Sequence, residues 1–208
     1  MRGWFVVLEG GDRSGKSLQA ARLVAWLNGR GKRCILTREP GGTPVGRRIR
    51  ELLLDPRVEM TMRTEALLYA ADRAEHVATV IRPALERGDI VVSDRYVESS
   101  LVYQGDAGGV DVEYLTAVNL LATGGLEPDL LIVLDAERHA LAGREREVRD
   151  RIEERSGDYH DRVRRAYRKL VALRGERAVL VDAGRSVDEV EQAIREAVLA
   201  HEQRRGWR

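Results

Sequence analysis

The chain has 208 residues and a formal net charge of +1, from 35 basic and 34 acidic residues, so its overall charge does not favour binding to nucleic acid or to a membrane surface. Its composition, 43% hydrophobic and 33% charged, is typical of a soluble globular protein with one domain and a substantial core. The single cysteine, Cys34, predicts a buried thiol; with no apolar run of membrane-spanning length and no signal peptide, we expect a cytoplasmic protein.

The first predicted elements are a strand, a glycine-rich loop and a helix. The apolar run Trp4–Leu8 precedes GGDRSGKS, which fits G-x-x-x-x-G-K-[ST], and a helical pattern follows over Leu18–Leu27. In this context the loop binds nucleotide phosphates, with Lys16 at the outer phosphates and Ser17 on Mg²⁺; the alternative is a glycine turn without a ligand. The expected phosphate contacts come from Gly10, Gly11, Asp12, Arg13, Ser14, Gly15, Lys16, Ser17 and Leu18.

Four more apolar runs predict strands. They are Arg33–Thr37, Ile90–Ser93, Leu130–Leu134 and Ala178–Val181. None of them alternates with polar residues, and helical patterns separate them, which indicates a parallel α/β sheet covered on both faces. One domain over residues 1–208 is the simplest interpretation.

The predicted helices after the first follow in order. Short and longer helices are expected over about Arg47–Asp55 and Thr64–Ile81, the second ending before Pro83. A helix capped by Asp111 should turn Val112, Leu115, Val118 and Leu121 inward. The last helix begins at the capping box Ser186–Glu189, and the tail from His201 should be frayed.

Polar residues follow the predicted strands at the edge where α/β sheets bind ligands. Asp94 comes directly after the third strand, where an acidic residue assists Mg²⁺ through water in phosphate-loop enzymes. Arg95 is suited to bind a second anion through its planar guanidinium. The alternative is an Asp–Arg pair that only closes the strand end.

The segment from about 137 to 157 is rich in arginine. It contains Arg138, Arg144, Arg146, Arg149, Arg151 and Arg155 among acidic residues. It is either a solvated helix with Glu–Arg pairs or a mobile lid that brings arginines onto phosphates. Arg13, beside Lys16 in the loop, calls for an anion between the two cations.

No histidine or serine is placed as a nucleophile with its base, and the four histidines fit no metal-ligand spacing. Phosphoryl transfer to a phosphomonoester needs no strong base, because that oxygen is largely deprotonated at pH 7. Many arginines without a catalytic histidine therefore favour phosphoryl transfer between two anions.

These motifs together resemble the thymidylate kinase family over nearly the whole chain. The resemblance rests on FVVLEGGDRSGKS, TREPGGTPVG, the DRYVESSLVYQG block, GGLEPDLLIVLD and DRIEERSGDYHDRVRRAY. It implies transfer of the γ-phosphate of ATP to dTMP with Mg²⁺, giving dTDP and ADP. It also implies a phosphate-loop α/β/α fold, a five-stranded parallel sheet of order 2-3-1-4-5 and a homodimer.

The resemblance also implies roles for individual residues. Asp12 would bind the 3′-hydroxyl of dTMP, Tyr69 would stack on thymine and Arg73 would hydrogen-bond a base carbonyl. Arg95 would hold the acceptor phosphate, and Tyr103 would crowd a ribose 2′-hydroxyl. The implied dTMP site comprises Asp12, Arg38, Pro40, Tyr69, Arg73, Arg95, Ser99, Tyr103 and Gln104. Arg144 and Ala183 fall where the family cradles adenine.

The chain departs from the family pattern in two places. It carries arginines both in the loop and in the lid, so we expect Arg13 at the γ-phosphate, joined on closure by Arg149 or Arg151; with Lys16 and Arg95 these form the predicted catalytic set. Leu18 replaces the usual hydroxyl residue after Ser17. A kinase for another nucleoside or monophosphate, or a nucleotide-dependent switch, remains open from the residues alone.

Overall fold

A computed structural model describes residues 3–137 and 150–205 of the chain. Five parallel strands form one sheet: β1 Trp4–Gly10, β2 Cys34–Arg38, β3 Ile90–Asp94, β4 Leu130–Asp135 and β5 Ala178–Asp182. They lie in the order β2-β3-β1-β4-β5. The five predicted strands, their parallel direction and their order are confirmed, and each strand extends one or two residues beyond its predicted end.

The strands are linked by helices. These are α1 Lys16–Gly29, α2 Pro44–Leu54, α3 Met62–His76, α4 Arg82–Glu86, α5 Val97–Ser100, α6 Val112–Thr123, α7 Gly157–Arg174 and α8 Val187–Arg205. Two π-helical turns, Val77–Ile81 and Leu101–Asp106, continue α3 and α5. A 3₁₀ turn, Gly175–Arg177, leads into β5.

Both faces of the sheet are buried, as β1 shows. Phe5 and Val7 point to one face, which is covered by side chains of α4 and α7. Trp4, Val6 and Leu8 point to the other, where α1 and α8 pack. Since successive strand residues face opposite ways, burial on both sides requires an unbroken apolar run, and the predicted three-layer α/β/α fold is confirmed.

The helical region before β3 is longer than the sequence predicts. The expected stop before Pro83 is wrong, because the chain stays helical through the π turn to Glu86. Pro83 lies in the first turn of α4, where a proline fits because its missing N–H is not needed there. Helix α5 and the π turn after it were not predicted.

Helix α6 is capped as expected, with the Asp111 carboxylate accepting from the Tyr114 N–H at 2.9 Å. The prediction that Val112 and Leu121 point inward is wrong, since they are 48% and 85% exposed. The helix buries only a narrow face, which includes Leu115. Val112 and Leu121 are left on the surface of the helix, and Val118 is half-buried.

The C-terminal helix is also longer than predicted. Its capping box is confirmed, because Ser186 and Glu189 exchange hydrogen bonds between side chain and backbone. The expected fraying from His201 is wrong as far as Arg205, since His201 is buried and its ring lies 5.2 Å from that of Trp4. Residues 206–208 lie outside the described part of the chain.

Cys34 is half-buried on edge strand β2 instead of lying in the core. Burial, with the nearby Asp89 carboxylate, raises the pKa of its thiol to about 12, so the thiol stays protonated. Most of the lid predicted at about 137–157 falls on residues 138–149, which the structure does not describe.

Candidate active site

A cavity of about 310 Å³ opens at the carboxyl edge of the sheet, where β1 and β3 end. This volume is at the lower end of the range that small-molecule sites occupy. Most of the sequence-predicted site residues line it: Asp12, Arg13, Gly15, Lys16, Ser17, Leu18, Arg38, Pro40, Tyr69, Asp94, Arg95, Ser99, Tyr103 and Gln104. Both halves of the predicted site therefore face one space.

The loop between β1 and α1 has the backbone of a phosphate-binding turn. Gly10 has a φ of 141°, and a Cβ there would lie 2.3 Å from the carbonyl oxygen of Leu134, so only glycine fits. Gly15, also at positive φ, caps the N-terminus of α1. The free N–H groups and positive end of α1 are therefore directed at the cavity.

Lys16 is the cation of this loop. Its ammonium is buried and donates to the carbonyl oxygen of Gly11 at 2.6 Å. Burial, together with the neighbouring Arg95 charge, lowers the pKa of Lys16 to about 8. An anion in the cavity would favour the charged form of this side chain.

Ser17 and Asp94 form the candidate magnesium site. The Ser17 hydroxyl donates to a carboxylate oxygen of Asp94 at 2.5 Å, joining the start of α1 to the end of β3. Both are hard oxygen ligands, and Mg²⁺ takes one or two of these from protein beside waters and phosphate oxygens. The donor set therefore fits Mg²⁺ next to a bound phosphate chain.

Arg95 is the central cation on the other side of the cavity. Its backbone has a φ of 76°, which is unusual for a residue with a side chain. The guanidinium donates to Asp12 at 2.6 Å and to the Ser99 hydroxyl at 3.0 Å, and lies 5.0 Å from the Tyr103 ring centroid. Against the effect of burial, the charges of Arg95, Lys16 and His160 lower the pKa of Asp12.

Beneath Arg95 lies Glu9, which the sequence analysis did not identify. It is fully buried, and one carboxylate oxygen accepts from the backbone N–H groups of Tyr96 and Ser99 at 2.9 and 3.0 Å. The other oxygen accepts from the hydroxyls of Ser99 and Tyr167 at 2.7 and 2.6 Å. Glu9 thus fixes the turn that presents Arg95. The available signal was a lone acidic residue at the end of an apolar strand.

The cavity wall opposite the phosphate loop contains an aromatic ring, that of Tyr69, and a side-chain amide, that of Gln104. Tyr69 is half-buried and lines the cavity, which favours a binding role over that of a plain core residue. Gln104 is buried, lines the same space and donates its amide N–H to Glu65 at 2.8 Å. Arg38, the last residue of β2, and Pro40, in the loop after it, complete this side.

Arg73 is not among the residues that line the cavity, and its contact with a base stays a prediction. It is buried, and its guanidinium donates to Glu39 at 2.8 Å, to the Tyr96 carbonyl at 2.8 Å and to the side chain of Asn119. The other Glu39 oxygen lies 2.9 Å from the His76 ring. In the described conformation Arg73 therefore braces the loop after β2 against α3 and α6.

Asp72, next along α3, also braces that loop. One carboxylate oxygen accepts from the Gly41 N–H at 2.9 Å, and the other is buried without a hydrogen-bond partner among the described residues. Burial, with the neighbouring Glu39 charge, raises the pKa of Asp72 to about 6. A Cβ at Gly46 would lie 2.2 Å from Asp72, so glycine permits this close packing.

Two arginines predicted to act at the transferred phosphate differ in position. Arg13 lines the cavity at a φ of 65°, with its guanidinium 3.8 Å from Glu153. Arg151 does not line it; its guanidinium contacts Glu65 at 2.5 Å and the Leu53 carbonyl at 2.9 Å. The charge of Arg151 is thus paired with Glu65 in this conformation, and its expected role on closure stays a prediction.

The remaining predicted residues fall into two groups. Gly10, Gly11 and Ser14 belong to the loop but their atoms do not line the cavity, and Ala183 is buried in the core. Arg144 and Arg149 lie outside the described residues. The sequence analysis missed several cavity residues: Arg50, Leu54, Asp150, Ile152 and Glu153.

Residues 3–137 and 150–205 contain neither of two other kinds of site. In those ranges no cluster of three or more histidine, cysteine or carboxylate side chains could hold a metal ion. Nor is any helix in them both long and apolar enough to cross a membrane.

Comparison with known proteins gives a consistent result. The family model described as thymidylate kinase matches residues 8–194. The thymidylate kinase of Symbiobacterium thermophilum is 52% identical over 196 residues, covering 93% of this chain and 92% of that protein. Those of Leifsonia xyli subsp. xyli and Desulfovibrio desulfuricans are 50% and 45% identical, covering 93% and 97% of this chain and 93% and 98% of theirs.

Proposed function

The chain belongs to the thymidylate kinase family, and from this premise we infer that it transfers the γ-phosphate of ATP to dTMP, giving dTDP and ADP. The observation that carries this conclusion is that Lys16 and Arg95 face one cavity. One cation belongs to a phosphate-binding loop and the other to a separate anion site. A protein that only senses a nucleotide has no need of the second.

We propose that the loop and the first turn of α1 hold the phosphates of ATP. Lys16 would reach the outer phosphates, and an anion there would restore the charge that burial disfavours. Ser17 would coordinate Mg²⁺ directly and Asp94 through water. When bound, Mg²⁺ would neutralise charge on the phosphate oxygens.

The acceptor would lie between Tyr69 and Arg95. Tyr69 offers a ring face for a pyrimidine, and Arg95 a cation for the monophosphate. The Tyr103 hydroxyl lies 3.3 Å from a carboxylate oxygen of Asp12, and both side chains lie where the sugar would bind. The bulky phenol of Tyr103 would leave little room there for a 2′-hydroxyl. These roles support dTMP in preference to a ribonucleotide.

The geometry suits a transfer that depends on alignment and charge. The acceptor oxygen is already an anion at pH 7, so the chain need only hold two polyanions in line and offset their repulsion. Arg13 lines the cavity from the loop side, close to where the γ-phosphate would lie. We propose it as the arginine that stabilises the transferring group.

Mixing the purified protein with ATP, Mg²⁺ and single monophosphates tests this function. ADP should appear much faster with dTMP than with dUMP, dCMP or dGMP. Faster turnover with another acceptor would favour a different kinase, and nucleotide binding without ADP release would favour a switch. Omitting Mg²⁺ should abolish the reaction.

We also propose a homodimer built on α3 and α6. Four large apolar side chains on these two helices are more than 40% exposed: Leu67, Val112, Leu120 and Leu121. Exposed apolar groups on neighbouring helices support an interface that covers them. Sedimentation should give twice the chain mass, and Leu121→Glu should give the monomer.

A further inference from the structure

The amide of Gln104 is held in one orientation by a buried carboxylate. Its nitrogen donates to Glu65 at 2.8 Å, while its oxygen is buried without a hydrogen-bond partner among the described residues. A carboxylate only accepts hydrogen bonds, so the amide cannot turn round without setting two acceptors against each other. The oxygen is therefore the atom left for a ligand in the cavity that Gln104 lines.

Glu65 is itself fixed by two cations. Arg151 and Arg155 both donate to its second carboxylate oxygen, at 2.5 and 2.6 Å, which leaves the first for Gln104. The side chain of Glu65 is fully buried, and the arginines are 14% and 17% exposed. A buried carboxylate with every oxygen engaged by donors is rigid, and so is the amide that it holds.

The wall of the cavity that carries Tyr69, Arg95 and Gln104 is called the acceptor wall. The segment that supplies these arginines is tied to it by a further contact. Arg155 also hydrogen-bonds the hydroxyl of Tyr159, which donates in turn to the backbone carbonyl of Tyr103 at 2.7 Å. Glu65 on α3 is thus joined through the start of α7 to the turn that carries Gln104.

We propose that Glu65 is a positioning residue of the acceptor site, which fixes the hydrogen-bonding face that Gln104 presents to the base. The inference rests on the proposed function. An amide oxygen facing the base accepts from a ring N–H, which thymine carries at N3. Cytosine has a lone pair at that atom, so it would set acceptor against acceptor. Glu65 then contributes to discrimination without touching the substrate.

The test compares two acceptors that differ only at this edge of the ring, dTMP and 5-methyl-dCMP. In Glu65→Gln, residue 65 can donate as well as accept, so both orientations of the Gln104 amide become possible. We expect the ratio of kcat/KM for dTMP to that for 5-methyl-dCMP to fall at least about tenfold. The KM for ATP should stay within about twofold.

The matched control is Glu51→Gln, the same change at a side chain that is 65% exposed and paired with Arg48 on the surface. It should leave the ratio unchanged. A role for Glu65 in structure alone would lower activity toward both acceptors equally, and an unchanged ratio in folded Glu65→Gln overturns the proposal. Failure of the proposed function is a separate result, because the parent protein would then not phosphorylate dTMP.

A second variant covers the case in which Glu65→Gln does not fold, since it removes the carboxylate that neutralises two partly buried arginines. Glu65→Gln combined with Arg155→Gln keeps the net charge of the cluster and should show the same loss of preference. Arg155→Gln alone should keep the preference, because Arg151 still holds the carboxylate. Retained preference in the folded double variant contradicts the proposal.

Discussion

The two walls of the cavity are built in opposite ways. The wall next to the phosphate loop comes from one continuous stretch, residues 10–18, and is shaped by backbone, with glycine required where Gly10 meets Leu134. The acceptor wall is assembled from side chains at the ends of β2 and β3, on α3 and α5, and in the π turn after α5. Three buried carboxylates lie behind it: Glu9 beneath Arg95, Glu39 paired with Arg73, and Glu65, which accepts from Gln104.

This difference predicts how each wall responds to substitution. The shape of the phosphate loop depends on its backbone, so removing one side chain there should leave the fold intact. We therefore expect such a substitution to lower turnover. The acceptor wall depends on buried ion pairs, and removing one partner leaves the other charge uncompensated. We therefore expect substitutions there to change the affinity for the acceptor or the free energy of unfolding. The following experiments test that contrast, from the largest expected effect to the smallest.

Arg13→Ala should cause the largest loss. The side chain lines the cavity from the loop, and an arginine that neutralises the transferring phosphate contributes about 10³-fold or more to turnover. We expect kcat to fall by roughly that factor, with the KM for dTMP changed little. Steady-state kinetics beside Arg48→Ala, an exposed surface arginine, measure the effect. Turnover within a few-fold of the parent would show that Arg13 is not that arginine.

Arg95→Lys should damage the acceptor wall selectively. Lysine keeps the charge but loses the planar fork that contacts Asp12 and Ser99 together. We expect the KM for dTMP to rise about 10²-fold, while the KM for ATP changes less than about threefold. Arg87→Lys, at a side chain that is 56% exposed and does not line the cavity, is the control. Equal increases for both substrates would contradict a division between the two walls.

Asp72→Asn tests whether a buried carboxylate behind the acceptor wall costs stability. Its folded pKa of about 6 lies above the usual value of 3.8, so the folded state binds the proton more tightly. The carboxyl thus stabilises the fold at low pH, and this contribution is lost as pH rises through about 6. Asparagine keeps the acceptor for Gly41, and we expect it to raise the free energy of unfolding by about 2–3 kcal/mol at pH 8.

The gain from Asp72→Asn should shrink toward zero near pH 4, where the parent carboxyl is protonated. Thermal or urea unfolding at pH 4, 6 and 8 measures it, with Asp111→Asn as control, because asparagine caps a helix as well as aspartate. A pH-independent gain would mean that ionisation of Asp72 does not limit stability.

The smallest effect concerns Lys16 and pH. Its pKa of about 8 in the free protein means that ATP, which favours the charged form, must bind together with a proton at higher pH. The affinity for ATP should therefore weaken above about pH 8, by up to tenfold per pH unit. Calorimetry in buffers of different ionisation heat detects the proton uptake. Lys16→Arg should remove the pH dependence, and its persistence there would assign it to another group.

The same contrast explains how much the sequence predicts. The five strands and the loop depend on local pattern, so continuous apolar runs and the spacing of Gly10, Lys16 and Ser17 are enough to place them. Glu9 lies in a quoted motif and Glu65 in a predicted helix, but their partners are up to 158 residues away in the chain, and no local rule pairs them. The protein contacts of Arg73 and Arg151 could not be predicted for the same reason: their residue type indicates a ligand, while these contacts depend on distant carboxylates.

Arg13 and Arg95 share a strained backbone conformation that matters for any attempt to raise the melting temperature of this protein. Both have positive φ, where a residue with a side chain costs roughly 1–2 kcal/mol that glycine avoids. A redesign that replaces such residues with glycine would select these two positions early. At Arg95 the relief of backbone strain would be offset, because glycine would leave the carboxylates of Glu9 and Asp12 without their cation. Either replacement would also remove an arginine that we propose to bind a phosphate group.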